Sequence, residues 1–599
     1  MKCCFKSCNN KVFKTHDKCA LHCFNSNIQV DKDDFNVFCK LLFSLLSEKI
    51  LEHRHFIESK DGKILNNYSE SDFKHINITE DEDLKIKIGR VDISIENIIF
   101  PKNEDKYNNI LNCMTIAKYL GRINFIKCQF DNDNFIGVYN SYYDNCIFTR
   151  DISIIPHLVI NTRTLIPSED YKYKKCSFKG DVKLSSSIFG NKIDYNFFKN
   201  CDFENNIYIS GLTIENNVFS FSELPESKKK IKDFDNIKKC YKIKNLFISD
   251  CIFESNFKIN GINKKQIMDF KLLGFSFEDD TLTMNILEIV NTKFKSKFEI
   301  KYRIIEDFRF ENSNVDGIFD VYRSSFIKAR FHKSIFEEFA AFEYVVFGDG
   351  KRENITDFIY TTFKDFSNFR NTKFTSGLNF SSANIKQEPN FLNTDINLEG
   401  TDRETLRIIK NSFEKVNNKI ESNRFFIYEM IRYRKEISGD VEESVNFLKL
   451  FFRVVFSCNE YVLNIIGSGH VFKNIMSTFS KKFVLSSNYY ISRFGESYIQ
   501  PFIIFLFSIS VYTGILEVHK DIFSEKPIAR YAVLLRNFVT QDWFVSLSKI
   551  LNACAANVPL FSKALENKSG IQFISLLFFI WFGILTWQII VAVKRNTQH

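Results

Sequence analysis

Five cysteines and two histidines fall within the first 23 residues: Cys3, Cys4, Cys8, His16, Cys19, His22 and Cys23. Thiolate and imidazole are the groups that hold Zn2+ tetrahedrally. Two close ligand pairs about ten residues apart can clamp one ion in a segment too short to have its own core. The spacing pairs Cys3 or Cys4 with Cys8, and Cys19 with His22 or Cys23. The expected ligands are Cys3, Cys8, Cys19 and His22, with Cys4, Cys23 and His16 as alternates. Four protein ligands leave no position open for water or substrate, so the expected role of the zinc is structural.

No other stretch has the spacing of a reaction centre. The chain lacks a Gly-rich phosphate loop, a His-Glu-x-x-His pair and a Gly-x-Ser-x-Gly turn, and its ten histidines are scattered. The acidic pairs Asp279-Asp280, Glu337-Glu338 and Glu442-Glu443 read as solvated positions. An enzyme is not expected. A net charge of +9 over 599 residues, with no dense basic stripe, gives no electrostatic basis for a nucleic-acid partner.

The elements that must position the cluster begin with residues 34–58, an apolar stripe of helical period through Phe38, Leu41, Leu42, Leu45, Leu46 and Leu51. From about Ile123 to Ile396 the period changes. Of the chain's 67 phenylalanines, one run reads Phe358, Phe363, Phe369, Phe374, Phe380, then Ile385, Phe391 and Ile396, in steps of five and six. A second run reads Phe326, Phe331, Phe336, Phe342 and Phe347. Two positions before many of these sits a small residue, among them Ser324, Ala329, Ser334, Thr361, Thr372 and Ala383. Cysteine takes that place at Cys128, Cys146, Cys176, Cys201 and Cys251. Steps of five match neither a helix nor a lone strand. They match a chain that turns a corner at each step and stacks its coils into one continuous core, with about 22 residues per coil.

This pattern resembles the pentapeptide-repeat family, and the resemblance covers roughly Ile123–Ile396. It implies a right-handed quadrilateral β-helix, with the large residues on the axis and the five cysteines buried as small hydrophobes. An insertion at 228–244 is charged and reads as a surface loop. Some family members mimic DNA through an acidic surface. Charges across this repeat nearly cancel, so that role is not expected.

After residue 400 the period is helical. Two helices are expected around Asn417-Asn418, with Arg407, Glu414, Glu421 and Glu429 on solvated faces. Together with the phrase Ser492-Arg-Phe-Gly-Glu-Ser, this stretch is similar to the linker of bacterial membrane-bound pentapeptide-repeat proteins, which end in two membrane helices. Residues 497–516 and 569–593 carry no charge and reach roughly 30 and 37 Å as helices, enough to cross a bilayer. Trp581 and Trp587 lie in the second. Residues 543–561, between the spans, are apolar and short, and read as a re-entrant segment or a helix lying on the membrane surface.

The expected organisation is a metal motif at 1–25, a helical or mixed region at 26–120, the β-solenoid at 121–400 and a helical linker at 401–496. Transmembrane helices at 497–516 and 569–593 follow, joined by a loop at 517–568, with a basic tail at 594–599. Lys and Arg flank the spans on both sides and leave orientation open, whereas the absence of a secretory signal favours a cytoplasmic body on the inner or plasma membrane. The expected function is a membrane-tethered scaffold or sensor with membrane lipid and a protein partner. The alternative is a homo-oligomeric two-span channel or membrane-permeabilising effector.

Overall fold

The computed structural model describes residues 2–4, 8–14, 17–23, 31–53, 89–101, 120–131, 141–154, 171–187, 190–221, 242–262, 283–455, 481, 484–523, 540–556, 562–566, 568 and 570–597. His16, the insertion at 228–244 (apart from its last residues) and Asp279-Asp280 lie outside them. The chain forms two units, Met1–Thr401 and Asp402–His599.

Among the described residues, the first unit is a solenoid-like stack of parallel strands in four sheets. Successive layers pair in register: Lys293-Phe294 with Asn314-Val315, then Ile335-Phe336, then Thr362-Phe363, then Asn384-Ile385. Layers repeat after 21 residues in the middle of the stack and after 22 near its end. The phenylalanines of the count point inward, whereas Ile385 and Ile396 near the end of the stack are half-buried. Phe294, Phe298, Phe308, Phe319, Phe331, Phe342, Phe358, Phe369 and Phe374 are at most 1% exposed. Rings of adjacent layers lie face to face, as in Phe331–Phe358 (4.4 Å between centroids), Phe342–Phe369 (4.7 Å) and Phe347–Phe374 (5.1 Å). Rings on neighbouring sides of one layer meet edge to face, as in Phe294–Phe298 at 4.9 Å. Both geometries suit the aromatic quadrupole.

Corners come from single residues in the left-handed region, including Asn145, Asn200, Asn291, Asn312, Lys333 and Tyr360. Asparagine tolerates that conformation better than most residues. The amides of Asn145, Asn200, Asn291, Asn312 and Lys333 donate to the layer above, as Asn312 does to the His332 carbonyl at 2.9 Å. The small residue follows directly. Cys251, Thr292, Ser313, Ser334, Thr361 and Ala383 form one such column, just before the paired strands of one sheet. Ser334 Oγ donates to the Phe310 carbonyl at 3.1 Å and Thr361 Oγ1 to that of Phe331 at 3.1 Å. Cys251 Sγ lies 3.6 Å from the Ile209 carbonyl. Cys128, Cys146, Cys176 and Cys201 make the equivalent contact in a second column. All five cysteines are about as buried as the rings, at 1% exposure. Burial raises the Cys128, Cys146 and Cys176 thiols and pushes Cys251 up to about 11, so they are inert small residues with weak S–H donors.

Pairing begins earlier than the phenylalanine count. Asp92–Glu96 pairs with Arg122–Ile126, and Ile99-Phe100 with Gln129-Phe130. The inward positions of that first layer are Ile93, Ile95, Ile98 and Phe100.

In the second unit, α3 (Arg403–Lys415) and α4 (Lys419–Val455) are joined by a turn in which Asn417 has φ 63°. Leu406, Ile409, Phe413 and Phe425 are buried. Glu429 departs from the expectation of a solvated face: it is 3% exposed and accepts from Arg407 Nε at 2.9 Å and Lys410 Nζ at 3.1 Å. A carboxylate this buried persists because cations from the facing helix neutralise it.

Among the described residues, two helices are long and apolar enough to cross a membrane, α5 (Ile499–Ile522) and α8 (Gln572–Thr597). Between them lie α6 (Asp542–Ala556) and α7 (Ser562–Leu565). α5 and α8 pack through Trp581 Nε1, which donates to Ser508 Oγ at 3.0 Å, and through Tyr512, whose ring lies 4.8 Å from Phe578. Ser508, Ser510, Thr513 and Thr586 each donate to the carbonyl four residues back in their own helix, which hides hydroxyl polarity. At the other end of the pair, Ser492 Oγ donates to Gln588 Oε1 at 2.8 Å, and Arg595 donates to the Phe494 carbonyl and lies over the Phe426 ring at 4.4 Å.

Candidate metal centre

The amino-terminal segment folds into a knuckle. Lys2 bridges to Lys11 in antiparallel fashion, and the Cys3 amide donates to the Asn10 carbonyl at 2.9 Å. Neighbouring residues on extended backbone point to opposite sides, so Cys3 and Cys4 diverge. Cys3 is buried, whereas Cys4 is exposed with Sγ 3.5 Å from Asp17. The short helix α1 (Ala20–Cys23) follows, with Cys19 just ahead of it and His22 in its last turn.

The fold brings together the four expected residues. The ligand atoms of Cys3, Cys8, Cys19 and His22 all lie within 4.8 Å of one another. Cys19 Sγ is 3.1 Å from His22 Nδ1 and 3.6 Å from Cys8 Sγ, and Cys3 Sγ is 3.7 Å from His22 Nδ1. With metal–sulfur bonds of about 2.3 Å and metal–nitrogen bonds of about 2.0 Å, the edges of a tetrahedron are roughly 3.5–3.8 Å. The Cys8–Cys19 and Cys3–His22 separations match those edges, and the closer Cys19–His22 pair would open slightly around one ion. The Cys19 amide also donates to Cys3 Sγ at 3.3 Å, a bond that favours thiolate. Of the alternates, Cys4 and Cys23 stay outside the group, and His16 is not among the described residues.

The electrostatics fit a cation. Burial, reinforced by the Cys8 thiol, pushes Cys19 up to about 12, so this thiol stays protonated until a positive charge stabilises it as thiolate. Burial and Lys18 lower the His22 imidazole and keep it in the neutral form that binds metals. Burial holds Cys23 at about 11.

The cluster sits beside the open end of the strand stack. α1 packs against α2 (Lys32–Leu51) and against the strand Ile99–Phe100. Phe38 of α2 meets the Phe100 ring edge to face at 5.8 Å, and Phe100 stacks on Phe130 at 4.5 Å. The buried stripe of α2 is Phe35, Phe38, Cys39, Leu42, Phe43, Leu46 and Ile50. Lys14 ties the knuckle to the start of α2 through ion pairs with Asp31 and Asp34. The Asp31 carboxylate accepts from the Asp34 amide at 2.7 Å and caps the helix. This device was not anticipated from the sequence, although an Asp just before an apolar helical run is a readable start signal. A stack of such layers cannot end on a bare one, and the Cys/His knuckle with α2 covers one end of this stack.

Comparison with family models, with curated proteins and with solved structures finds no match to this chain.

Proposed function

We propose that this chain is a membrane-tethered pentapeptide-repeat scaffold. In this reading, a right-handed quadrilateral β-helix forms a rigid protein-binding rod, zinc pins a cap on its amino-terminal end, and a two-helix hairpin holds it on the inner or plasma membrane with its bulk in the cytoplasm. The observation that carries this reading is the exposure of the two apolar helices. Only 17% of each apolar stretch is buried, unlike a core helix of a soluble protein. Phe502, Ile503, Leu506 and Phe507 of α5, and Leu577, Ile580, Ile584 and Ile590 of α8, face outward. Each Å2 of such surface left in water costs about 25 cal/mol, whereas lipid accepts it.

Zinc suits three thiolates and one imidazole in a closed tetrahedral set. Stacked rings fill the interior of the rod, which leaves protein recognition to its outer faces. Buried free thiols agree with a reducing compartment.

Flotation tests the tether. Full-length protein mixed with phospholipid vesicles during detergent removal should rise with them in a density gradient, and a chain ending at Glu496 should stay at the bottom. A full-length chain that remains soluble without detergent and does not float would overturn the reading.

A further inference from the structure

The helix between the two spans, α6, has no role in a simple two-helix anchor. Its inner face is fixed to the beginning of α8. Asn552 Nδ2 donates to the Gly570 carbonyl at 2.9 Å, and Asn552 Oδ1 accepts from the Phe573 amide at 2.8 Å. Below that clamp, Ala555 and Leu565 pack with Leu576, flanked by Phe573 and Phe579. The other side of α6 is open. Leu547 is 48% exposed and Ile550 is 62% exposed, and exposed Lys549 lies between them in sequence.

We propose that α6 is a third membrane element, an interfacial helix that presents Leu547 and Ile550 to phospholipid where the second span enters the bilayer. The inference rests on the membrane reading above and adds a contact that the spans do not require. The clamp sets the depth. Asn552 is hydrogen-bonded to the first turn of α8, whose next residues Ile574 and Leu577 are exposed and apolar. At 1.5 Å per residue, Ile550 and Leu547 lie only about 3 and 8 Å along the helix from Asn552, whatever angle α6 makes with α8. Both side chains therefore stay within about 8 Å of the level at which α8 enters, the zone in which interfacial helices bury their apolar faces roughly 5–10 Å deep. Lys549 on the same stretch suits that zone, where its stem can cover apolar surface while the ammonium reaches lipid phosphate. A fully re-entrant segment would instead require protein around it to shield Lys549.

Site-specific photocrosslinking in the full-length chain tests this. A benzophenone amino acid is placed at position 547, 550, 580 or 360, one per variant, and the protein is reconstituted into phosphatidylcholine–phosphatidylglycerol vesicles and irradiated. Adducts are read by mass. Position 580, in mid-span, reports the membrane reading itself, and position 360, on an exposed face of the strand stack, reports background. Positions 547 and 550 should give phospholipid adducts at least about five-fold above position 360, as an apolar face seated in lipid requires. If position 580 reacts with lipid while 547 and 550 do not, this inference fails and the anchor stands. If 547 and 550 crosslink to a second copy of the chain, the face is a protein interface and the inference also fails. If position 580 gives no lipid adduct, both readings fall.

Discussion

Replacing Cys19 with serine in the full-length chain should remove the metal and loosen the whole amino-terminal end of the rod. Cys19 is central to the cluster, with contacts to Cys8, His22 and Cys3. The module is too small to hold itself together by burial. Apparent binding energies of structural zinc sites are about 10–16 kcal/mol at neutral pH, so a lost thiolate is a large loss for so few residues. The damage should travel through α1, α2 and the Phe38–Phe100 contact to the first strand layer. Cys128, in the next layer, reports it because its Sγ bonds to the Ile95 carbonyl of that first layer. Metal content should fall from about one zinc per chain to near zero. Alkylation of Cys128 should rise at least ten-fold, about 1.4 kcal/mol of local opening, while Cys176 and Cys251 stay protected. Metal-free wild type, freshly purified under reducing conditions, would end the zinc assignment. Bound metal whose loss leaves Cys128 protected would instead end its role in pinning the cap.

Phe342→Ala should cost about 3–5 kcal/mol, the usual effect of removing a fully buried ring and leaving a partly collapsed cavity. Its ring lies between layers, 5.4 Å from Phe319 on one side and 4.7 Å from Phe369 on the other, with Phe358 edge-on at 5.6 Å. In a stack held together by neighbouring layers, a mid-stack ring loses contacts on both sides. Phe391, in the last layers, contacts Phe369 at 5.0 Å and Phe380 at 6.0 Å. Phe391→Ala should therefore fall at or below the low end of that range. Urea unfolding followed by far-ultraviolet circular dichroism measures both. A cost below about 1 kcal/mol for Phe342→Ala would mean that the ring is not in a packed core.

Much of this arrangement was legible because inward residues recur at a fixed count and apolar spans need only length. The turn at Asn417-Asn418 and the convergence of Cys3, Cys8, Cys19 and His22 were also readable from residue type and spacing. Other features depend on partners that are distant in sequence. The choice of Cys3 over Cys4 rests on the Lys2–Lys11 bridge, which decides the inward side chain but leaves no trace in the spacing. The first layer escaped the phenylalanine count because isoleucines 93, 95 and 98 fill inward positions there. Corner residues are chemically mixed, since a left-handed φ can be taken by Asn, Lys or Tyr when the layers on either side enforce it. Glu429 looked solvated because its partners Arg407 and Lys410 lie on the preceding helix, 22 and 19 residues away. The Asn552 clamp is likewise a pairing across 18 and 21 residues.

The most direct test of the central claim is ion flux through vesicles that carry the full-length chain. An anchor needs hydrophobic length, whereas a pore needs polar or carbonyl groups facing one another across an axis. The two spans carry no Asp, Glu, Lys or Arg within residues 497–516 and 569–593, and several of their hydroxyls bond back to their own helices. Vesicles shown by flotation to contain the protein should hold a potassium gradient as long as protein-free vesicles do. Rapid collapse of the gradient, dependent on the protein, would contradict the tethered-scaffold account and make the hairpin a conducting element.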